Sequence, residues 1–267
     1  MKLSPLLILC LAACHCVPLA MADEAPTAAE LAAKLNAAVL DNASTVRLKM
    51  DILPSAGAEK VVLQLKVNAR RTKAATDVHY EVLGPKDRKE GSFVLRKAAG
   101  QSATGAVFHP PDSVKPLTPS QLQEGIFGSD LAYEDVVGNY FAWERQEIVG
   151  GETLNRVPCQ ILESRPGKAD QSGYSRVRTW IDLRRMVPLK IEKYGANGQL
   201  VRRITITLVA KDDLNRAVPA NFTVERPGRE SRTILEGSNI KHGVTLGDAD
   251  FSPAILRAGA APNSQPE

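Results

Sequence analysis

Few residues of this chain have the types and spacing that catalysis requires. Among its 267 residues, no Gly-x-Ser-x-Gly, His-Glu-x-x-His or phosphate-binding glycine motif is present. Three of the four cysteines precede residue 17, which leaves Cys159 alone in an apolar, strand-like stretch. A nucleophilic thiol needs a histidine nearby in the fold, and His79, His109 and His242 lie in contexts that suggest no such role. We therefore expect a buried structural thiol, and a protein without enzymatic activity, metal or cofactor.

The first 22 residues have the three parts of a secretory signal peptide. Lys2 supplies a positive charge, the stretch 3–19 is mostly apolar, and Ala20-Met21-Ala22 matches a small-x-small cleavage site. A second processing site lies within the leader, because Leu11-Ala12-Ala13-Cys14 resembles a lipobox. Lipidation of Cys14 would tether the protein to a membrane. The leader predicts export, and export of a mature chain with one cysteine favours the bacterial periplasm, with tethering through Cys14 as the alternative.

The stretch 23–256 is expected to form one domain, followed by a disordered tail over 257–267 that is rich in Ala, Gly, Pro and Ser. The net charge of +4 is spread along the chain. Because clustered basic residues with interleaved aromatics are lacking, we expect no nucleic-acid binding. One cysteine cannot form an internal disulfide, so the core must stabilise the domain, which we expect to be a monomer.

The apolar periodicity predicts a helix followed by many strands. Thr27 and Glu30 have the spacing of a capping box, and apolar residues then recur on one helix face as far as Val39 or Leu40. From residue 45 the period changes from 3.6 to 2, which is typical of half-buried antiparallel strands. About five strands are predicted before residue 110, and about seven more from residue 143 onward.

Two short helices are predicted between these groups of strands, over 120–127 and 132–137. A single sheet of so many strands must curl strongly, and its apolar face needs a cover. The predicted helices are the available cover. The sequence therefore indicates a mainly β fold in which a curved antiparallel sheet wraps around an N-terminal helix and short lid helices.

The inward-facing side chains of this sheet would line any hollow between sheet and helices. A carrier predicts spare volume among them, whereas a filled core predicts none. The tryptophans are placed on strands as core or lining residues. The candidates are Val46, Leu48, Met50, Leu63, Leu65, Trp143, Trp180, Ile204 and Ile206.

One motif resembles a known family. The stretch Phe127-Gly128-Ser129-Asp130-Leu131-Ala132-Tyr133-Glu134-Asp135 is similar to the Gly-Ser-Asp…Tyr-Glu-Asp signature of the bacterial outer-membrane lipoprotein-sorting protein family, which is related to the periplasmic lipoprotein carrier LolA. Three further features fit the same family: the stretch 147–151 followed by 157–162, the stretch 179–182 followed by 187–192, and the Asn197-Gly198 hairpin. The resemblance covers about Ala28 to Leu256.

The resemblance implies a half-open antiparallel β-barrel with helices that plug its mouth. It implies a periplasmic carrier that binds acyl chains of a lipidated protein or lipid in a hydrophobic hollow and helps sort it to the outer membrane. An inner-membrane transporter and an outer-membrane acceptor would be its partners. Arg47, Arg70 and Arg71 are, by position, the candidates for the family's cavity arginine. The alternative is a non-enzymatic envelope sensor or interaction module of the same fold, similar to the regulator RseB.

The residue types of this lid motif favour a structural role. Ser129 or Asp130 could cap the following helix, Glu134 would then lie in its first turn, and Tyr133 could pack under the sheet. A hinge or a partner contact is the functional alternative. The acids lack the alternating Asp/Asn loop of a calcium site, so no metal is expected. The motif residues are Gly128, Ser129, Asp130, Tyr133, Glu134 and Asp135.

Overall fold

The structure is a computed structural model that describes residues 26–39, 42–55, 58–88, 91–237 and 239–258. The predicted signal peptide, the lipobox at Cys14 and the predicted tail beyond Ala258 lie outside these ranges. Among the described residues, no helix has both the length and the apolar character needed to cross a membrane.

The predicted N-terminal helix is α1, Ala28–Val39. Its capping box is confirmed, since the backbone N–H of Thr27 donates to the Glu30 carboxylate at 2.9 Å and the Thr27 hydroxyl accepts from the Glu30 N–H at 3.3 Å. Leu31 and Leu35 are buried on one face, as the helical period requires. That face packs against the sheet and fixes α1 there.

Fourteen strands form one sheet in the described chain. All twelve predicted strands are present, with differences at their ends, and the two-residue strands β6 and β14 are additional. The strands are β1 (Asn42–Leu53), β2 (Val61–Arg71), β3 (Ala75–Gly84), β4 (Ser92–Ala98), β5 (Thr104–Phe108), β6 (Lys115–Pro116), β7 (Arg145–Leu154), β8 (Val157–Arg165), β9 (Tyr174–Asp182), β10 (Val187–Gly195), β11 (Leu200–Lys211), β12 (Ala217–Glu225), β13 (Arg232–Glu236) and β14 (Lys241–His242).

Every pairing in this sheet is antiparallel, as predicted. The strand order is β6-β5-β4-β3-β2-β1-β13-β12-β11-β10-β9-β8-β7, and β14 pairs with β1. Two meanders are therefore joined at the centre, where β1 pairs with both β2 and β13. The sheet is curved and not closed, because β6 and β7 are its two edges.

The chain between the two meanders forms a lid segment, Pro119–Val137, over one face of the sheet. The single helix predicted over 120–127 is wrong, because this stretch forms two 3₁₀ turns, Pro119–Gln123 and Ile126–Gly128. A helix is broken at Gly125, where a side-chain carbon would lie 1.7 Å from the Ser129 carbonyl oxygen. The second predicted helix is confirmed as α2, Tyr133–Val137.

The face under the lid segment, here called the inner face, carries the main core. Alternate residues of β1–β5 and β11–β13 meet side chains of the lid segment there. A smaller cluster joins α1 to Leu162 and Ile181 on the same face. The outer face is covered at one side by the C-terminal stretch, where Leu256 of α3 (Ile255–Ala258) packs against Phe108. Two residues of the predicted tail are thus helical.

The outer face also carries a row of alternating charges that crosses six strands. Its members are directly paired in register from β8 to β13. Opposite charges on facing positions of neighbouring strands stabilise a sheet. In this row, here called the charge ladder, Arg178 donates to Glu163 at 2.6 Å and Arg203 contacts Glu192 at 3.0 Å. The ladder consists of Glu163, Arg178, Glu192, Arg203, Glu225 and Arg232.

Candidate functional site

A cavity of about 570 Å³ lies between the inner face and the lid segment, toward the β3–β6 side of the sheet. Its floor is apolar: Leu63, Val82 and Val107 come from the sheet, and Phe127 and Tyr133 come from the lid. Each of these strand residues belongs to the main core. The cavity is thus the part of the hollow that the lid segment leaves unfilled, and its volume is in the range of small-ligand sites.

Polar side chains surround the mouth of this cavity. Arg88, His109 and Lys115 supply basic groups, and Asp87 and Glu124 supply acidic ones. Burial lowers the pKa of His109, which favours its neutral form. An apolar floor with a polar rim suits an amphiphile that inserts a chain and leaves a polar end in water.

The sequence-predicted lining residues are divided between filled core and open cavity. The seven aliphatic ones all join the main core on the inner face, and Met50, Leu63 and Leu65 are fully buried there. Leu63 is the member of the predicted set that borders the 570 Å³ cavity. The others share the main core with lid side chains such as Ile126 and Val137. Among the described residues, the 570 Å³ cavity lies at one side of the hollow, a smaller cavity of about 190 Å³ lies at Ala103 and Leu122, and Ile206 borders another of about 350 Å³.

Trp180 was predicted to face inward, and the structure corrects this. Its neighbour Ile181 packs with α1 on the inner face, and successive side chains of a strand point to opposite faces. Trp180 is buried on the outer face, where Lys190 lies over its ring at 3.7 Å and Glu152 accepts from its indole N–H.

Trp143 was predicted to lie on a strand, and it lies in the turn before β7 instead. It follows a 3₁₀ turn, Tyr140–Ala142, and its ring contacts that of Tyr140 edge-on at 6.3 Å. It borders a separate cleft of about 120 Å³. Neither tryptophan therefore lines the open cavity.

The lid motif anchors the lid segment to the sheet, and its details differ from the predicted caps. Asp130 accepts hydrogen bonds from Ser231 at 2.8 Å and from Thr233 at 3.1 Å, and its N–H donates to the Thr233 hydroxyl. Capping by Ser129 or Asp130 was wrong, because α2 begins at Tyr133 and the Asp135 carboxylate accepts from the N–H of residue 132. The burial of Asp130 and its distant partners explain the error.

Asp135 is the centre of a buried polar cluster between lid and sheet. Its side chain has no exposure, and Lys193 and Arg202 lie 2.8 and 3.2 Å away. Tyr174 donates to the same carboxylate at 2.6 Å. Burial alone would raise the pKa of Asp135, but the two cations and the hydrogen bonds from Lys193 and Tyr174 leave it below its usual value. We call Asp135, Tyr174, Lys193 and Arg202 the anchor cluster.

The remaining motif residues complete this attachment. Glu134 accepts hydrogen bonds from Ser172 and from the N–H of Gly173, which join the lid to the turn before β9. Tyr133 packs edge-on against Phe93 at 4.9 Å, as predicted for a residue under the sheet. Gly128 and the preceding Phe127 both have positive φ, 82° and 52°. A non-glycine residue in this region is uncommon, and here it turns the phenyl ring into the cavity wall.

One of the three candidate arginines lies on the inner face. Arg71 is in the same alternation as Leu63, and its guanidinium donates to the Val136 carbonyl of the lid at 3.4 Å. Burial lowers the pKa of Arg71. Arg47 is exposed, and Arg70 pairs with Asp77 at 2.9 Å on the outer face. Arg71 therefore links the floor of the hollow to the lid.

Cys159 and the group formed by Asp212, Asp213 and His242 are other reactive side chains, and both have structural contacts. Cys159 is buried as predicted, its Sγ lies 3.5 Å from the Val157 carbonyl, and burial raises its pKa. Asp212, Asp213 and His242 lie close enough to share a cation. Arg216, however, already occupies Asp212 at 2.8 Å and contacts His242 at 3.0 Å. Arg216 therefore competes with any cation for Asp212.

Comparison with known proteins places the chain in a family and a fold. A family model described only as that of an uncharacterized protein matches residues 78–258, more than half of the chain. No curated protein matches the sequence. The structure is similar to a DUF1329 family protein from Desulfovibrio piger, with 22% identity and a TM-score of 0.77 over 86% of this chain and 97% of that one.

Two further solved structures share the fold. One is an outer membrane lipoprotein-sorting protein domain from Vibrio parahaemolyticus, with 19% identity and a TM-score of 0.74 over 85% of this chain and 97% of that one. The other is a LolA superfamily protein from Nitrosomonas europaea, with 16% identity and a TM-score of 0.67 over 85% and 98%. The expected curved, half-open antiparallel sheet with few helices is confirmed.

Proposed function

We propose that this chain, which belongs to the family whose model matches residues 78–258 and has a LolA-like fold, is a periplasmic carrier of acyl chains. The cargo is a lipidated protein or a lipid, and its destination is the outer membrane. The name of the Vibrio parahaemolyticus relative refers to lipoprotein sorting, and the shared fold supports carrying that role over. An inner-membrane donor and an outer-membrane acceptor are the partners this function requires. No catalytic step is needed.

The observation that carries this proposal is the 570 Å³ cavity under the lid segment. Its floor residues Leu63, Val82 and Val107 are apolar. A hydrocarbon chain that binds there is therefore transferred from water to a hydrophobic surface. Each buried CH₂ contributes about 0.8 kcal/mol. A long acyl chain therefore binds without specific polar recognition, which suits cargo that differs in its protein part.

Movement of the lid segment would enlarge the binding space. Lid side chains share the main core with Met50 and Leu65, while polar contacts at Asp130 and in the anchor cluster hold the lid in place. Phe127 has a positive φ at the cavity wall, a conformation that costs free energy and occurs at switch points. We infer that a longer chain displaces the lid from this end and extends under it.

A sensor or interaction module of the same fold is the second candidate. It is favoured by β7, which is an edge strand whose residues are mostly exposed. Exposed edges can pair with a strand of another protein. A sensor would form a stable complex with one envelope protein when lipid binds, whereas a carrier would release its lipid to an acceptor membrane.

The test begins with the mature chain, residues 23–267, purified from the periplasm. We expect co-purifying lipid in mass spectrometry and displacement of a fluorescent fatty acid by unlabelled lipid. Absence of both would contradict a carrier. Leu117 borders the cavity and is partly buried, so Leu117→Asp is expected to weaken probe binding at least tenfold. Leu214→Asp is the matched control, because Leu214 is 55% exposed in a distant turn.

Periplasmic localisation is part of the same proposal. Cleavage after Ala22 gives a mobile carrier, and processing at Cys14 gives a tethered protein that receives or senses cargo. Cell fractionation of the wild type and Cys14→Ser separates the two. A soluble periplasmic wild type, unchanged in the variant, supports the mobile carrier, whereas a membrane-bound wild type released by Cys14→Ser supports tethering.

A further inference from the structure

The turn between β12 and β13 borders a second cavity, of about 530 Å³, at the end of the sheet. Four of its lining residues are arginines, Arg203, Arg226, Arg229 and Arg232, and only two are acids. This concentration contrasts with the scattered charge of the chain as a whole. Its excess positive charge makes the cavity a candidate for an anionic ligand.

Two of these arginines, Arg203 and Arg232, belong to the charge ladder. Arg203 is bound to Glu192 at 3.0 Å, and Glu225 lies in register between Arg203 and Arg232 in the charge ladder. Arg226 and Arg229 lie outside the ladder, where Asp130 acts on Arg226 and Glu230 lines the same cavity. Because four arginines face two acids in this lining, an excess of positive charge remains for a ligand.

Arg226 is positioned as the inner of these two donors. It is half-buried, whereas Arg229 is exposed at the rim. Burial and the charges of Arg229 and Arg202 lower the pKa of Arg226. A bound anion would offset this repulsion, and a planar guanidinium with several N–H donors matches the oxygens of a phosphate group.

We propose that this arginine cavity binds a phosphate group, with Arg226 and Arg229 as the principal ligands. The shared chemistry is that of a phosphate mono- or diester, which an anionic phospholipid headgroup or free phosphate can supply. The site is distinct from the acyl cavity. It is nevertheless joined to the lid, because Ser231 of the same turn donates to Asp130 of the lid motif at 2.8 Å.

The test uses the whole mature chain and two probes. Inorganic phosphate is titrated calorimetrically, and co-sedimentation compares vesicles of phosphatidylcholine with vesicles that also contain phosphatidylglycerol. The site variant is Arg226→Gln/Arg229→Gln. The control is Arg156→Gln/Arg184→Gln, which removes the same charge from exposed turns at the opposite end of the strands. Circular dichroism and thermal melting confirm that both variants fold.

We expect the site variant to bind at least tenfold more weakly and the control to bind like the wild type. Binding of phosphate in solution identifies a free-phosphate site, and binding of anionic vesicles alone identifies a headgroup site. Equal losses in both variants would show general charge attraction and overturn the proposal, as would a wild type that binds neither probe. Fatty-acid displacement is measured in the same variants. Because it reports on the acyl cavity, it tests the carrier proposal independently of phosphate binding at the arginine cavity.

Discussion

At the scale of single residues, the anchor cluster illustrates what a sequence conceals. Lys193 and Arg202 are almost completely buried, although such residues are normally exposed. Their partner Asp135 is about sixty positions away in the chain, so no local pattern marks the contact. Alternation of apolar residues, by contrast, placed all seven aliphatic candidates on the inner face. It misplaced Trp180 because the side chains of Lys190 and Glu152 bury this residue on the outer face, so its apolar character does not mark the inner face.

The anchor cluster supports a prediction about Asp135. Asp135→Asn leaves Lys193 and Arg202 buried without an anionic partner, and we expect a loss of about 3–5 kcal/mol in the free energy of unfolding. Glu236→Gln is the control, because the pair it forms with Lys49 at 3.1 Å is exposed and is expected to contribute less than about 1 kcal/mol. Urea unfolding measures both. Equal effects would mean that the cluster is not a stabilising anchor.

His79 supports a prediction about pH. It is buried on the outer face near Lys66 and Asp250, and burial lowers its pKa from 6.5 to about 4. The unfolded chain therefore binds a proton at higher pH than the folded one. Its contribution to stability is complete above pH 6.5 and is lost as the pH falls toward 4, by about 3 kcal/mol at most.

The measurement is the pH dependence of urea unfolding between pH 7 and 4, compared with His79→Gln. We expect the wild type to lose more stability than the variant across this window. Parallel curves would show that His79 is not responsible for any acid destabilisation.

At the scale of elements, regular strands were predictable and their exceptions have local causes. Period-2 alternation identifies twelve strands because each half-buried strand carries the pattern within itself. The strands β6 and β14 are two residues long and have no period to detect. The helix predicted over 120–127 failed at Gly125, where the close approach of the Ser129 carbonyl is a tertiary feature. The charge ladder was also hidden, since it depends on register across six strands.

The lid segment supports a prediction at this scale. Thr233→Val preserves side-chain shape but removes the hydrogen bonds that join Thr233 to Asp130. Local opening costs less free energy when such contacts are lost, so we expect amides of the lid segment to exchange hydrogen at least fivefold faster while those of the central strands do not change. Thr223→Val on neighbouring β12 is the control. Uniform acceleration throughout the protein would show that these contacts stabilise the whole fold and not the lid in particular.

At the scale of the whole molecule, the sequence predicted a sheet that wraps around helices. This prediction followed from the number of strands and from the helices available to cover their apolar face. The expected hollow is present, and in the described residues lid side chains share its core while the 570 Å³ cavity lies toward β3–β6. Sequence alone could not show which part of the hollow is packed core and which part is open cavity, because both are lined by apolar residues on the inner face. Nor did it anticipate that the C-terminal stretch around Leu256 covers part of the outer face. Such covers are set by long-range packing.

The carrier account makes one claim that a single measurement addresses most directly, namely that an acyl chain lies under the lid. A fatty acid with a photoreactive group at its methyl end is bound to the mature protein, crosslinked and mapped by mass spectrometry. The account predicts crosslinks to cavity residues such as Val107, Leu117 and Phe127, and their loss when excess unlabelled lipid is present. Crosslinks confined to the outer face, or labelling that unlabelled lipid does not reduce, would contradict it.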